Sequence, residues 1–264
     1  MADRVVFSVD LEPNKDDSMD GIREAMEWFD RTVPRGTVFA TYRIADEMPD
    51  LLVELAESHE IGVHVHPREF GHDHDQLAEL SRDRQRELIE QARGVITDAV
   101  GTEPLSFRAG RHSASRETLT MLKELGFEMD ASINVRYTDY LPESLTSRRE
   151  PFALESGLYE VPTSYGRPSL FSHLGLRLFP NRELTATANT LRTDRRGYSG
   201  LDALSWLRET VSDLSMYMHP YDATDHHANL ENNGGVFRAR VEKLLEPVNA
   251  DAFVSSINLL EHNN

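Results

Sequence analysis

Ile61-Gly62-Val63-His64-Val65-His66-Pro67 is a short apolar run that ends in two histidines one residue apart and is stopped by a proline. With Glu60 before it, the run fits a β-strand over Glu60–Val65. Residues i and i+2 of a strand point to the same face, so His64 and His66 present their imidazoles side by side. Two neutral imidazoles at a strand end begin a divalent metal site, usually completed by a carboxylate. Taken alone, the pair reads better as two unrelated histidines. What surrounds it decides.

Upstream lies a second β-branched and aromatic run, Thr37–Tyr42, and then a helical pattern over Ala45–Ser58 with Leu51, Leu52 and Leu55 on one side. Strand, helix, strand is the unit of a parallel sheet, and it recurs along the chain. Val5–Asp10 reads as the first strand and Asp17–Arg31 as its helix, with Ile22, Met26 and Phe29 at helical spacing. A long helix or broken pair over Asp75–Val100 leads to a fourth strand at Leu105–Arg108. Ser115–Leu125 is a helix with Gly126 as its stop, and Glu128–Ile133 is strand-like. Residues 134–182 are irregular around a strand at Leu158–Val161. Glu183–Arg192 and Leu201–Ser212 read as helices, Leu214–Met218 as a strand, Phe237–Leu245 as a helix and Ala252–Val254 as a last short strand. Seven or eight strands alternating with helices predict an α/β protein whose parallel sheet closes into a barrel; an open doubly wound sheet is the other solution. No stretch has linker composition, so residues 1–264 read as one domain.

Composition narrows the function classes. The chain has 45 acidic and 28 basic residues, a formal net charge of −17, and no cysteine. Disulfides, thiolate catalysis and cysteine-ligated metals are excluded. No basic stripe tracks a phosphate backbone, so nucleic acid is not an expected partner. Only Lys15, Lys123 and Lys243 are lysines. Acid excess with arginine in place of lysine predicts adaptation to high internal salt, where screening suppresses self-repulsion. No run is long enough to cross a bilayer, and the N-terminus lacks a signal-type apolar region and cleavage site, which predicts a cytoplasmic protein without membrane insertion.

In a (β/α) barrel the chemistry sits where strands end and loops begin. The first strand ends Asp10-Leu11-Glu12, two carboxylates on one face, and the third ends in His64 and His66. The fourth ends Phe107-Arg108-Ala109-Gly110-Arg111-His112, the fifth holds Asp130, and the last long strand ends Met218-His219-Pro220-Tyr221-Asp222. Singly, a strand-end carboxylate such as Asp130 reads as a helix cap or loop carboxylate and Arg108 as an ion-pair partner, while His219 reads equally as a core histidine or a site residue. Their joint occurrence at successive strand ends points to a site.

These pieces, in this order, resemble the polysaccharide deacetylases of the NodB homology type, carbohydrate esterase family 4. The similarity is carried by Thr37-Val38-Phe39-Ala40-Thr41, Pro49-Asp50-Leu51-Leu52 and His59-Glu60-Ile61-Gly62-Val63-His64, then by Phe107-Arg108-Ala109 with Glu117-Thr118-Leu119 and Leu125-Gly126-Phe127, and by Met218-His219-Pro220. The resemblance implies a distorted (β/α)7–8 barrel and metal-dependent removal of an acetyl group from an N-acetylated sugar or related C–N amide. It implies Asp10 as general base, Glu12, His64 and His66 as ligands of a divalent metal, zinc by preference, Arg108 as the residue orienting the base, His219 as general acid, and Asp130 as a group tuning His219.

The chain departs from the family pattern at three places. Leu11 separates Asp10 from Glu12, where the family has adjacent aspartates. The histidines are two apart rather than four, with Arg68 at the usual second position. Gly110 and Arg111 replace the proline and aromatic residue after the third-motif arginine. His72 or His74 could compensate the contraction, but they read as a polar loop with Asp75 capping the next helix; His226 and His227 read as solvated loop residues. Two other functions stay open: an amidohydrolase-type metal hydrolase, since His-x-His occurs in such barrels, and a catalytically inactive barrel that binds glycan.

Overall fold

The computed structural model describes residues 2–168, 183–195, 197–226 and 229–260; residues 169–182 of the irregular region, and His227, lie outside them. Strand β1 (Arg4–Leu11) leads to helix α1 (Ile22–Thr32), and β2 (Thr37–Ala40) leads to α2 (Tyr42–Glu47) and α3 (Pro49–Ala56). The single helix expected over 45–58 is thus two. Pro49 opens α3, and Met48 before it is pushed to φ −133° and ψ 46°, because the proline ring disfavours helical backbone at the preceding residue. Strand β3 (Glu60–Val65) has the expected bounds.

Helix α4 (Arg82–Val100) begins later than its pattern indicates. The Ser81 hydroxyl accepts the N–H of Arg84 as its cap, so Asp75 is not the cap. Strand β4 (Ser106–Ala109), helix α5 (Arg116–Glu124) with Ser115 as its cap, and β5 (Met129–Asp130) follow. Then come α6 (Glu143–Thr146), β6 (Phe152–Ala153), β7 (Tyr159–Glu160), β8 (Tyr165–Gly166), β9 (Leu184–Thr185), α7 (Ala188–Arg192), α8 (Gly200–Thr210), β10 (Asp213–Met218) and α9 (Gly234–Leu245). The helix expected from Glu183 starts only at Ala188, because Leu184 and Thr185 pair with β8. The strand expected at Ala252–Val254 reduces to one bridge between Phe253 and Val5.

Eight strands form one curled sheet in the order β10-β1-β2-β3-β4-β5-β7-β6. Every pair is parallel except β6 with β7, so the last pairing departs from the all-parallel expectation. The two ends of the sheet meet through a loop rather than a strand pair. The Ser164 N–H donates to the Ser215 carbonyl at 2.9 Å, and the Ser164 hydroxyl donates to the Asp213 carbonyl at 3.0 Å. This seam makes the fold a distorted barrel and not an open doubly wound sheet.

Strand alternation sorts the side chains. Phe7, Val9, Val63, Val65 and Phe107 face outward and pack with Phe29, Leu52 and Leu88 of the helices. Val6, Phe39, Met129, Ala131, Tyr159 and Val161 converge in the interior, joined by Val254 and Leu259 of the C-terminal segment. Each fully buried large apolar side chain stabilises the fold by about 1.5–3 kcal/mol. At the strands' N-terminal ends the C-terminal segment plugs the barrel: Glu60 Oε2 accepts from the Thr37 hydroxyl at 2.9 Å and from the Ile257 N–H at 3.1 Å. At the opposite end the interior residues are Asp10, His64 and Arg108. That is where a cleft opens.

Candidate functional site

The cleft has a volume of about 940 Å³ and is lined by side chains from the loops following β1, β2, β3, β4 and β10. His64 closes the inward row of β3, and His66 follows it in extended backbone, φ −109° and ψ 112°, so the i, i+2 relation carries past the end of the strand. The two Nε2 atoms lie 3.1 Å apart. Glu12 Oε2 is 2.7 Å from His66 Nε2 and 3.6 Å from His64 Nε2. One ligand atom from each of Glu12, His64 and His66 falls within 4.8 Å of the others.

The other ring nitrogens are committed elsewhere. His64 Nδ1 donates to the Arg108 carbonyl at 2.8 Å, and His66 Nδ1 faces Asp75 Oδ1 at 3.5 Å. In the tautomer with the proton on Nδ1, each ring leaves its Nε2 lone pair free to bind a cation beside the Glu12 carboxylate. Three electron-rich atoms converging on one point fit a divalent cation, and a carboxylate behind a ligating histidine is the usual support of such sites. Without a cation the same cluster holds a proton. Burial pulls the His66 pKa down, but Asp75 and Glu12 outweigh it and push it up to about 10. Burial raises the Glu12 carboxyl, and the hydrogen bonds from His64 and His66 reverse this and hold it well below the usual carboxylate range.

Asp10 sits on the inward row of β1, 3% exposed, and accepts from Arg108 Nη1 at 2.5 Å. The Arg108 guanidinium is itself fixed by donating Nε–H to the Ala131 carbonyl at 3.0 Å and lies 4.3 Å from the Phe39 ring centroid. Burial by itself raises the Asp10 carboxyl; the charges of Arg108, His64 and His219 overcome it and keep the pKa below its ordinary value. His219, at the end of β10, places Nε2 3.6 Å from Glu12 Oε1 and 3.9 Å from Asp10 Oδ2. Its Nδ1 faces Asp222 Oδ2 at 3.5 Å, and its backbone N–H donates to the same oxygen at 2.9 Å. Asp222 pairs in turn with Arg192 of α7, Nε to Oδ1 at 2.9 Å. Burial lowers the His219 pKa, and Asp222, Glu12 and Asp10 together raise it above the ordinary value. The ring stacks on Tyr221, centroids 4.7 Å apart and planes 10° apart.

Residues 7–129 match the polysaccharide deacetylase family. That segment, just under half of the chain, is similar to the polysaccharide deacetylases. Among solved structures it is similar to a Mycobacterium smegmatis protein assigned to the polysaccharide deacetylases, at 14% identity and a TM-score of 0.65, covering 98% of this chain and 90% of that one. It is also similar to a peptidoglycan N-acetylglucosamine deacetylase in complex with 4-naphthalen-1-yl-N-oxidanyl-benzamide, at 13% identity and TM-score 0.56, covering 97% and 87%. A third is a CE4-family pseudoenzyme from Bacillus anthracis, at 10% identity and TM-score 0.53, covering 98% and 66%. At these identities the likenesses concern the fold. No curated protein matches the sequence.

Of the seven residues expected from the deacetylase resemblance, Asp10, Glu12, His64, His66 and His219 meet in the cleft, and Arg108 lies buried directly behind Asp10. Asp130 does not meet them. It aligns in register with Phe107, whose ring packs outward against Phe127, and therefore lies on the opposite face of the sheet from Arg108. Its carboxylate accepts from the Ser132 hydroxyl at 2.7 Å and the Ser132 N–H at 3.1 Å, beside Glu160, and the acidic group against His219 is Asp222. His72 and His74 stay out of the cluster; His72 Nε2 accepts from Arg84 at 3.0 Å, and His74 Nδ1 accepts from the Gln76 N–H. His226 is exposed and bonds to Asp16 and Ser18.

Sequence reasoning missed three groups. Asp75 supports His66, and Asp222 supports His219; the second was readable as an i+3 carboxylate in a proline turn. The third is the pair His112 and Tyr217, joined at 3.0 Å from ring Nε2 to phenol oxygen. Arg111 and His112 have φ of 53° and 54°, the left-handed region that non-glycine residues seldom occupy. That turn sends Arg111 to the cleft mouth and His112 inward, where Nδ1–H donates to the Ser132 carbonyl. Burial, aided by the Arg108 charge, lowers the His112 pKa to about 3. It is a neutral histidine.

Proposed function

We propose that the chain is a metal-dependent hydrolase that removes the acetyl group from an N-acetylated sugar. The convergence of Glu12, His64 and His66 beside an ionised Asp10 carries this reading. A divalent cation held by those three residues supplies Lewis-acid polarisation of the amide carbonyl, and the mixed imidazole and carboxylate donors suit zinc, with cobalt, nickel or manganese as substitutes.

The remaining chemistry belongs to side chains of this chain. Asp10, kept ionised by Arg108, takes a proton from the attacking water as its oxygen bonds to the acetyl carbon. His219, kept protonated by its three carboxylate neighbours, gives a proton to the amine nitrogen as the C–N bond breaks. Acetate and a free amino sugar leave. Arg108 acts by positioning Asp10, Asp222 by holding the His219 ring, and Asp75 by holding His66.

The test is metal content of the purified protein together with acetate release from short N-acetylglucosamine oligomers. The expected result is about one zinc per chain in the wild type, zinc lost in His66→Ala, and zinc retained but turnover lowered by about 10²–10⁴ in Asp10→Asn, the range a general base contributes. A zinc-loaded wild type that releases no acetate from any N-acetylated sugar would favour the inactive glycan-binding barrel.

A further inference from the structure

We propose that the mouth of the cleft selects an N-acetylated sugar that carries an anionic group, a phosphate or a carboxylate, next to the reacting unit. This deepens the deacetylase reading and rests on it.

The loops after four successive strands each bring one cation to the cleft: Lys15 after β1, Arg43 after β2, Arg68 after β3 and Arg111 after β4. Arg43 is neutralised, with Glu47 at 2.9 Å and Asp17 at 3.7 Å. The other three are not. Asp75 is the one carboxylate shared by Arg111 at 3.3 Å and Arg68 at 3.9 Å, and it also supports His66 at 3.5 Å. Lys15 makes no ion pair among the described residues; its ammonium lies 4.7 Å from the Tyr221 ring centroid, and Tyr221 stacks on His219.

Of the other acids in the same wall, Asp17 is exposed beside Arg43 and the rest are engaged inward. Asp10 is held by Arg108, Glu12 faces the two histidines, and Glu69, whose pKa burial pushes up, accepts the Arg43 N–H at 3.3 Å. Outside the Arg43 group, the mouth therefore sets three cations, Lys15, Arg68 and Arg111, against the single carboxylate of Asp75, in a molecule whose formal charge is −17. The Arg68 and Arg111 side chains are 62% and 59% exposed, so their planar forks are open to paired hydrogen bonds from a phosphate or carboxylate. At about 940 Å³ the cleft lies near the top of the roughly 300–1,000 Å³ range of small-molecule sites, with room for a charged substituent beyond the acetamido group.

The test uses the zinc-loaded full chain and calorimetric titration with three ligands: N-acetylglucosamine 1-phosphate, N-acetylmuramic acid and the neutral disaccharide of N-acetylglucosamine. Acetate release from each is followed in parallel. At least one anionic sugar is expected to bind about tenfold more tightly than the neutral one, and which of the two does so identifies the charged group. In the double variant Lys15→Gln, Arg68→Gln the anionic-to-neutral affinity ratio is expected to fall about tenfold, the sum of two partly exposed charge contacts. Lys15→Gln alone should give part of that loss. Equal affinity for neutral and anionic sugars in the wild type overturns the inference. So does a preference that survives unchanged in the double variant, which would put the anion on the metal. Charge-selective binding without acetate release from any sugar instead overturns the deacetylase reading.

Discussion

His66 and Gly110 are one adaptation written at two places in the chain. A Cβ on residue 110 would lie 2.6 Å from the Val65 carbonyl oxygen and 2.8 Å from both Cε1 and Nδ1 of His66. The ring of the contracted His-x-His pair occupies the volume that any side chain at 110 would fill, so two departures from the family pattern depend on each other. Gly110→Ala should displace the ring and cost about 1–3 kcal/mol through overpacking against a backbone oxygen that cannot yield. In a chelator competition its zinc affinity should fall at least tenfold; unchanged affinity would uncouple the two positions. Asp75→Asn tests the support behind the same ring. The loss of the carboxylate partner should weaken zinc binding about 10–100-fold while circular dichroism stays that of the wild type.

At the scale of the element, the period of two along each strand decided most of what was readable. Asp10 of β1 and Glu12 just past its end, and His64 and His66 at β3, were placed on shared faces by alternation alone, and the packing of a parallel sheet keeps those faces inward. The same alternation excludes Asp130, because its register with Phe107 turns it to the helix side; that register is a property of the pairing and is not written in residues 128–133 themselves. Nor could the left-handed turn at Arg111 and His112 be read from a segment without Asn or Gly at those two positions. Its consequence is measurable. Because His112 stays neutral in the folded state down to about pH 3 while the unfolded chain protonates near pH 6.5, the unfolded state binds the extra proton between those values. Stability is full above about pH 6.5 and falls as the pH drops below it, by about 2 kcal/mol at pH 5 from this residue. His66 and His219, whose values are raised, are already charged in both states at the low end of that window and add no slope there. His66 and His219 gain stability as the pH falls through 6.5, in the wild type and in His112→Gln alike, so in urea titrations at pH 7 and pH 5 the wild type should lose about 2 kcal/mol relative to the variant.

For the whole molecule, the site and the scaffold are separable. The outer core under the helices and the plug of Glu60, Thr37 and Ser256 hold the barrel without any contribution from Glu12, His64 or His66. Under the proposed zinc binding, removing the metal should therefore leave the secondary structure intact and lower stability only by mass action, about 2.7 kcal/mol relative to protein in zinc at one hundred times the dissociation constant. Thermal melts with and without a chelator measure it, and a chelated protein that loses its circular dichroism spectrum would show that the metal is part of the fold.

The amino-acid pattern by itself determined the alternation of strands and helices, the bounds of β3, the likeness of residues 7–129 to the polysaccharide deacetylases, and five residues that meet in the cleft with Arg108 behind them, because these depend on local periodicity and on motifs that remain contiguous in the chain. Tertiary structure alone decided which groups stand behind those residues: Asp75 behind His66, Asp222 and Arg192 behind His219, and the Ala131 and Ser132 carbonyls behind Arg108 and His112. It also decided the seam at Ser164 and the ring of cations at the cleft mouth. These are contacts between segments distant in sequence, set by register, turn geometry and the curl of the sheet, and no local run of residues encodes them.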